Sequence, residues 1–293
     1  MFKILIIFNA LILGVIVTNA FAQEELKKNS VDKLYSVGSS FIDSFLSGEG
    51  DTEVSITAGE KMAPLGSIMI VRPIKKKNSS VIFNQSQINN YFVKGKQRQA
   101  INLGLGYRKL SDNNKYFTGY NIFFDADSKS NSRYSFGLEF ITDPFKINAN
   151  RYEKISGKNT VGDFNERVLS GYDLNILGQV PYLPWANIKL NSYEWDAVKN
   201  SKNSKGLKYG GEFYITNSIT LEVGTDNDET NIDKNYVSLS FVYPPKNRPS
   251  LSDNKLSKIA FEESDVSDEL LSKVRRVNKV VVELEGSVTV KGF

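Results

Sequence analysis

Residues 119–127 read GYNIFFDAD, and the solvent that each side of this stretch meets decides the fold. Successive side chains of an extended strand point to opposite faces. Tyr120, Ile122 and Phe124 therefore share one face, and Asn121, Phe123 and Asp125 the other. The same period runs outward in both directions. In INLGLGYRKL (101–110), Ile101, Leu103, Leu105 and Tyr107 oppose Asn102, Gly104, Gly106 and Arg108. Further on, Tyr134, Phe136, Leu138 and Phe140 oppose Ser135, Gly137, Glu139 and Ile141, and Phe145, Ile147 and Ala149 oppose Lys146, Asn148 and Asn150. Five more alternating segments follow, near 170–177, 187–195, 207–215, 219–225 and 237–243, and three less regular ones precede, near 53–59, 66–74 and 79–88. Together they predict an all-β chain of twelve strands.

The connections alternate as well. DADSKSNS (125–132), EKISGKNTVGDFNER (153–167), DAVKNSKNSK (196–205) and DNDETNIDK (226–234) are long and polar, whereas Asp143-Pro144, a turn around Pro181 and Pro184, and Asn217-Ser218 are tight. Alternation alone fits two solvents. In a secreted sandwich the apolar face packs inward; in an outer-membrane barrel it meets lipid and the polar face lines the lumen. Strands of 8 to 11 residues match a tilted membrane crossing. Tyr107, Tyr120, Phe124, Tyr134, Phe140, Tyr172, Phe241 and Tyr243 recur near strand ends on the apolar face, as interfacial girdles do. With the split between short and long connections, these favour the barrel, the sandwich remaining the alternative. The lumen would then be lined by Asn102, Asn121, Asp125, Glu139, Lys146, Asn148, Asp173, Asn175, Lys189 and Glu212.

The N-terminus points the same way. Lys3, an apolar run from Ile4 to Val17 and Ala20-Phe21-Ala22 form a secretory signal peptide with a small-x-small cleavage pattern. Residues 1–22 are assigned to it, and the apolar run is short for a transmembrane anchor. Residues 23–50 carry Leu26, Val31, Leu34, Val37, Phe41 and Phe45 at irregular helical spacing, and predict a short helical segment in the periplasm.

The 293 residues include no cysteine and no histidine. Thiolate chemistry, disulfides, Cys/His metal sites and any imidazole base are therefore excluded, and no catalytic residue, cofactor or metal site is expected. The net charge of +4 is scattered, so no nucleic-acid partner is implied. Asp125, Glu139, Asp173 and Glu212 form no catalytic pair on this reading; Lys146, Lys189 and Lys208 are expected to neutralise them across a wet lumen. DNDETNIDK lacks the glycine and closing glutamate of a calcium loop and reads as a solvated surface loop.

These stretches also carry a resemblance. INLGLGYRKL, GYNIFFDAD, RYSFGLEF, DPFKINANRYEKISG and FNERVLSGYDLNILGQVPYLPWANIKLNSYEW resemble, in order and spacing, the β-domain of the intimin and invasin family, the inverse autotransporters. Glu166, Arg167, Gly171, Tyr172, Asp173 and Pro181 are the specific positions. The likeness runs from about residue 40 to 245 and more weakly to VRRVNKVVVELE (274–285). It implies a twelve-stranded antiparallel barrel in the outer membrane of a Gram-negative bacterium, over 51–245, with both chain ends of the barrel on the periplasmic side. It further implies contacts with outer-membrane lipid, delivery by periplasmic chaperones and the barrel-assembly machinery, and a segment that returns through the pore towards a surface passenger serving adhesion. A short form without passenger repeats is the expectation here, with an unspecified surface partner; a stand-alone channel or loop-binding barrel is the alternative. Residues 246–293 are expected to lie in the lumen as a plug or stalled linker. Leu270, Leu271 and Val274, with Glu269 and Lys273 one turn apart, predict a helix of about 13 residues there, followed by a short strand at 280–284.

Overall fold

The computed structural model describes residues 48–59, 62–199, 202–228, 234–253, 256–262 and 264–286. The expected signal peptide, and the expected helical segment up to residue 47, lie outside the described residues.

Alternation dictates the wall. β1 (Thr52–Gly59), β2 (Met62–Lys77), β3 (Ser80–Val93), β4 (Lys96–Leu110), β5 (Tyr116–Asp127), β6 (Ser132–Thr142) and β7 (Phe145–Lys154) follow as antiparallel neighbours. After β8 (Lys158–Val161) and β9 (Phe164–Val168) the wall resumes with β10 (Gly171–Val180), β11 (Leu183–Trp195), β12 (Ser204–Tyr214), β13 (Ile219–Asp228) and β14 (Lys234–Tyr243). β10 pairs with β7, and β14 pairs with β1 from Thr52↔Tyr243 to Gly59↔Tyr236. Twelve strands thus close into one barrel with no free edge. No helix among the described residues is long and apolar enough to cross a membrane; in this architecture the strands cross instead.

In β5 burial alternates residue by residue: Tyr120, Ile122 and Phe124 are exposed outside, while Phe117, Asn121, Phe123 and Asp125 are shielded within. Gly104 and Gly106 explain how aromatic rings fit inside. A Cβ on Gly104 would lie 2.3 Å from the Phe123 ring, and one on Gly106 2.3 Å from the Phe83 ring. Only glycine lets each ring lie flat against the neighbouring backbone.

The interior is occupied by the chain's own tail. The near end of the barrel, where β1 begins and β14 ends, is marked by the Lys246–Asp51 ion pair. From there the tail enters the lumen through a 3-10 helix, Ser267–Leu271. Val266, Leu270, Leu271 and Val274 pack on Val71, Val81, Phe83, Leu110, Phe117, Phe123 and Ile141 of the wall. Higher up, Val277 and Val281 pack on Tyr152, Leu169, Tyr193 and Trp195. At the far end β15 (Val282–Gly286) pairs with β9, giving a three-stranded sheet β15-β9-β8.

Three expectations change. The α-helix around 270–274 is absent: Glu269 pairs with Lys146 and Lys273 with Glu53, so wall charges replace the i,i+4 pair and the chain stays extended after Leu271. The segment 153–167 is no plain polar loop, because β8 and β9 form a hairpin within it that the tail completes. The loop after β5 shrinks to 128–131, since β5 runs on to Asp127.

Candidate functional site: the threaded lumen

β4, β5, β6 and β7 each aim a polar or charged side chain at one level of the lumen, and the tail meets them there. Arg276 donates to Asp125 at 2.9 and 2.7 Å and to the Ser135 hydroxyl at 2.9 Å. Arg133 donates from Nε to Asp125 at 2.8 Å and from its terminal nitrogen to the Val277 carbonyl at 2.6 Å. All three charged side chains are 0% exposed. The guanidiniums lie over aromatic faces: Arg276 is 4.2 Å from the Phe123 centroid and Arg133 is 4.1 Å from that of Tyr152. Two buried cations thus face Asp125, and a second carboxylate, Asp173, is buried in the same network. Asp173 accepts hydrogen bonds from the amides of Asn150, Asn175 and Asn191 and, at 3.2 Å, from the Tyr152 hydroxyl. The same hydroxyl accepts the Val277 N–H at 2.8 Å. Burying charge is tolerable only when it is paired and hydrogen-bonded, and this network supplies both.

Further ties run along the tail. Nearer the entry, Arg108 holds Glu139 at 2.9 Å and donates to the carbonyls of Leu270 and Ser272. Asn148 donates to the same glutamate at 3.0 Å. Gln85 accepts the Val274 N–H, Arg275 pairs with Glu212 at 2.7 Å, and Asn102 bridges Asp125 and the Asn278 carbonyl. At the near rim Asp265 accepts from Ser267 and, at 2.9 Å, from Asn114. These donors, Ser267 first, hold its carboxyl below the ordinary value. A cavity of about 640 Å³ opens at this rim, with Asp143, Asp253, Glu262 and Asp268 in its lining. Among the described residues no group of three or more carboxylates is placed to hold a metal ion.

At the far end Glu166 anchors the hairpin. It is 2% exposed and forms a two-pronged pair with Arg98, which also reaches Asp127 at 3.3 Å. Arg167 pairs with Glu285 of β15, so the two adjacent residues grip the wall and the tail respectively. Gly171 lets Trp195 approach: a Cβ there would lie 2.3 Å from the Glu194 carbonyl and 2.6 Å from the Trp195 ring. Pro181 lies in the tight turn between β10 and β11.

Asn102, Asn121, Asp125, Glu139, Asn148, Asp173, Asn175 and Glu212 all lie buried in the lumen; Lys146 and Lys189 point inward and pair with Glu269 and Glu222. Tyr120, Phe124, Phe140, Tyr172 and Tyr243 stand exposed outside. Tyr107 and Tyr134 are less so because their rings meet Tyr120 and Phe136, and Phe241 is half-buried beside Val54 and Ile219. The expected lysine partners are corrected. Asp125, Glu139 and Glu212 pair with arginines and Asp173 with amides, while Lys208 pairs with Asp226. Planar guanidinium both forks onto carboxylate and stacks on rings, which ammonium does not. Arg98, Arg108, Arg133 and Arg276 were not singled out from the sequence; for the three wall arginines, their place on the polar face of a strand otherwise lined by small or amide side chains was the available signal, and Arg276, in the tail, has none. In DNDETNIDK, 229–233 lie outside the described residues.

A family model described as "Inverse autotransporter, beta-domain" matches residues 16–278. A "Putative attaching and effacing protein homolog" of Escherichia coli K12 is 30% identical over 138 residues, 45% of each chain. Intimin of Escherichia coli O127:H6 is 28% identical over 206 residues, 65% of this chain and 21% of that one. Invasin of Yersinia enterocolitica is 29% identical over 175 residues, 58% and 20%. The chain thus spans less than half the length of these curated relatives. A solved structure described as "Unveiling the Mechanism Behind the in-meso Crystallization of Membrane Proteins" superposes with a TM-score of 0.66 at 24% identity, covering 80% of this chain and 99% of that one, and so shares its fold.

Proposed function

The chain belongs to the inverse autotransporter β-domain family, and on that premise we propose that it anchors and conducts a segment of its own chain to the cell surface. The barrel lies in the outer membrane of a Gram-negative cell. The near end, with both barrel termini, is then periplasmic, and the far end external. The observation that carries the reading is the tail. It enters at the periplasmic rim, is tied to the wall by Arg275 and Arg276, and leaves at the external end as β15, paired with β9. The pairing gives the emerging chain a strand to register against. Display for adhesion, in the manner suggested by the names of its relatives, is the corresponding role of whatever follows residue 286. Assembly-machinery and chaperone contacts belong to the same proposal, and no catalytic step does. The test is protease shaving of intact cells carrying a C-terminal epitope tag. Loss of the tag without permeabilisation is expected; a tag cleaved only after permeabilisation contradicts display and favours a stand-alone barrel.

A further inference from the structure

Before it dives into the lumen, the tail circles the periplasmic rim and touches the turns there in succession. The Lys246 N–H donates to the Asn217 carbonyl at 2.9 Å and the Ser252 N–H to that of Ile215 at 3.0 Å, both in the β12–β13 turn. The Ser257 N–H donates to Tyr182, and the Tyr182 N–H to Ala260, each at 3.0 Å, at the β10–β11 turn. The Val266 N–H donates to Asn114 at 2.9 Å, in the β4–β5 turn. With its backbone tied in this way, the segment still leaves Leu256 67%, Ile259 57% and Phe261 37% exposed. Three exposed apolar side chains within six residues of a well-tied segment call for a cover.

The position of Phe261 says what the cover is. Its ring centroid is 5.9 Å from that of Phe145, and Phe145 faces outward on β7, opposite in sense to the inward Lys146. The outward Tyr116–Phe140 ring pair and the exposed Tyr182 stand on the same rim. The apolar side chains of the rim segment therefore continue the outer belt of the barrel, which the membrane covers, and aromatic rings favour this depth. We propose that residues 256–261 form a lipid-seated collar. Leu256, Ile259 and Phe261 enter the headgroup–acyl boundary of phospholipid in the periplasmic leaflet, as the apolar side of an interfacial segment does. The collar fixes the point at which the tail turns from the rim into the pore. The inference needs the barrel to lie in a membrane, not the tail to display a passenger, so the tag experiment can fail and leave it standing.

The absence of cysteine makes the test direct. Full-length Ile259→Cys and Leu256→Cys chains, labelled with an environment-sensitive dye, are folded into phosphatidylethanolamine–phosphatidylglycerol vesicles with or without doxyl-labelled phosphatidylcholine. Ile147→Cys, outward on β7, serves as the membrane reference and Ser264→Cys as the aqueous one; each variant must first show the heat-modifiable gel mobility of a folded barrel. The collar predicts blue-shifted emission at 256 and 259, quenching by doxyl lipid as at 147, and protection from aqueous iodide. Quenching by iodide and not by doxyl lipid, as at 264, overturns it. Protection from both quenchers also overturns it, because a protein or a second copy then covers the segment.

Discussion

Arg276→Ala removes the most shielded tie between tail and wall. Arg276 and Asp125 are both fully excluded from solvent and joined by two hydrogen bonds. Removing one partner of such a pair costs about 3–5 kcal/mol. Asp125 keeps Arg133 at 2.8 Å, so the lower end of that range applies, even with the stacking on Phe123 lost. The cost falls on the docked state of the tail rather than on the barrel ladder, whose backbone bonds do not involve Arg276. About 3 kcal/mol corresponds to roughly a 150-fold rise in the population of the undocked tail. Hydrogen exchange on the full chain in nanodiscs reads it directly, because local opening sets the exchange rate. The reporters are the Val274 and Val277 amides, which donate to Gln85 and Tyr152; the β5–β6 ladder is the control. Acceleration of both reporters by about 100-fold or more, with the ladder unchanged, is expected. Less than about tenfold, or equal acceleration of the ladder, would show that Arg276 does not dock the tail in this way. The first would mean that Arg133 alone holds Asp125, the second that the charge cluster holds the barrel and not the tail.

Two further substitutions probe the anchor of the hairpin and the close packing inside the barrel. Glu166→Gln weakens the buried Arg98 anchor by about 1–3 kcal/mol and is expected to make Lys158, in the external hairpin, an early tryptic site; an unchanged digest would detach the hairpin's order from this anchor. Gly104→Leu drives a side chain into the Phe123 ring on which Arg276 stacks, costing about 1–3 kcal/mol by overpacking. A lowered yield of folded, heat-modifiable barrel is expected, with Gly157→Leu, whose Cβ meets nothing within 4 Å, left unaffected; equal yields would contradict the close-packing role of Gly104.

The wall was legible because a strand announces itself by period two. GYNIFFDAD displays in nine residues the inside and outside that the barrel gives it, down to the inward Phe123 and Asp125. The strand count came out the same way, while strand ends did not, since Asp127 extends β5, and Asn89 and Asn90 carry β3 on to Val93, through pairings that polarity disguises as loop. The tail was misread where its residues have no local partners. Leu270, Leu271 and Val274 do sit at helical spacing, but their apolar contacts come from Val71, Phe83 and Phe117, and Glu269 and Lys273 are claimed by Lys146 and Glu53. Such long-range choices leave no periodicity in the chain. The same holds for most contacts of the lumenal arginines: Arg276 lies 151 positions from Asp125 and Arg108 lies 164 from the Ser272 carbonyl, and only the threaded tail brings these together, whereas Arg133 meets Asp125 across neighbouring strands.

Passage of the tail through the barrel, from the periplasmic rim to the external face, is open to direct measurement on cells. Single cysteines at Ser264, Val277 and Leu284 in the full chain, probed on cells with a membrane-impermeant maleimide, report the rim, the lumen and the exit. The threaded tail predicts labelling of Leu284→Cys on intact cells, of Ser264→Cys only after the outer membrane is permeabilised, and of Val277→Cys in neither condition while the barrel stays folded. Labelling of Leu284→Cys only after permeabilisation would contradict it, since the chain beyond the lumen would then lie on the periplasmic side.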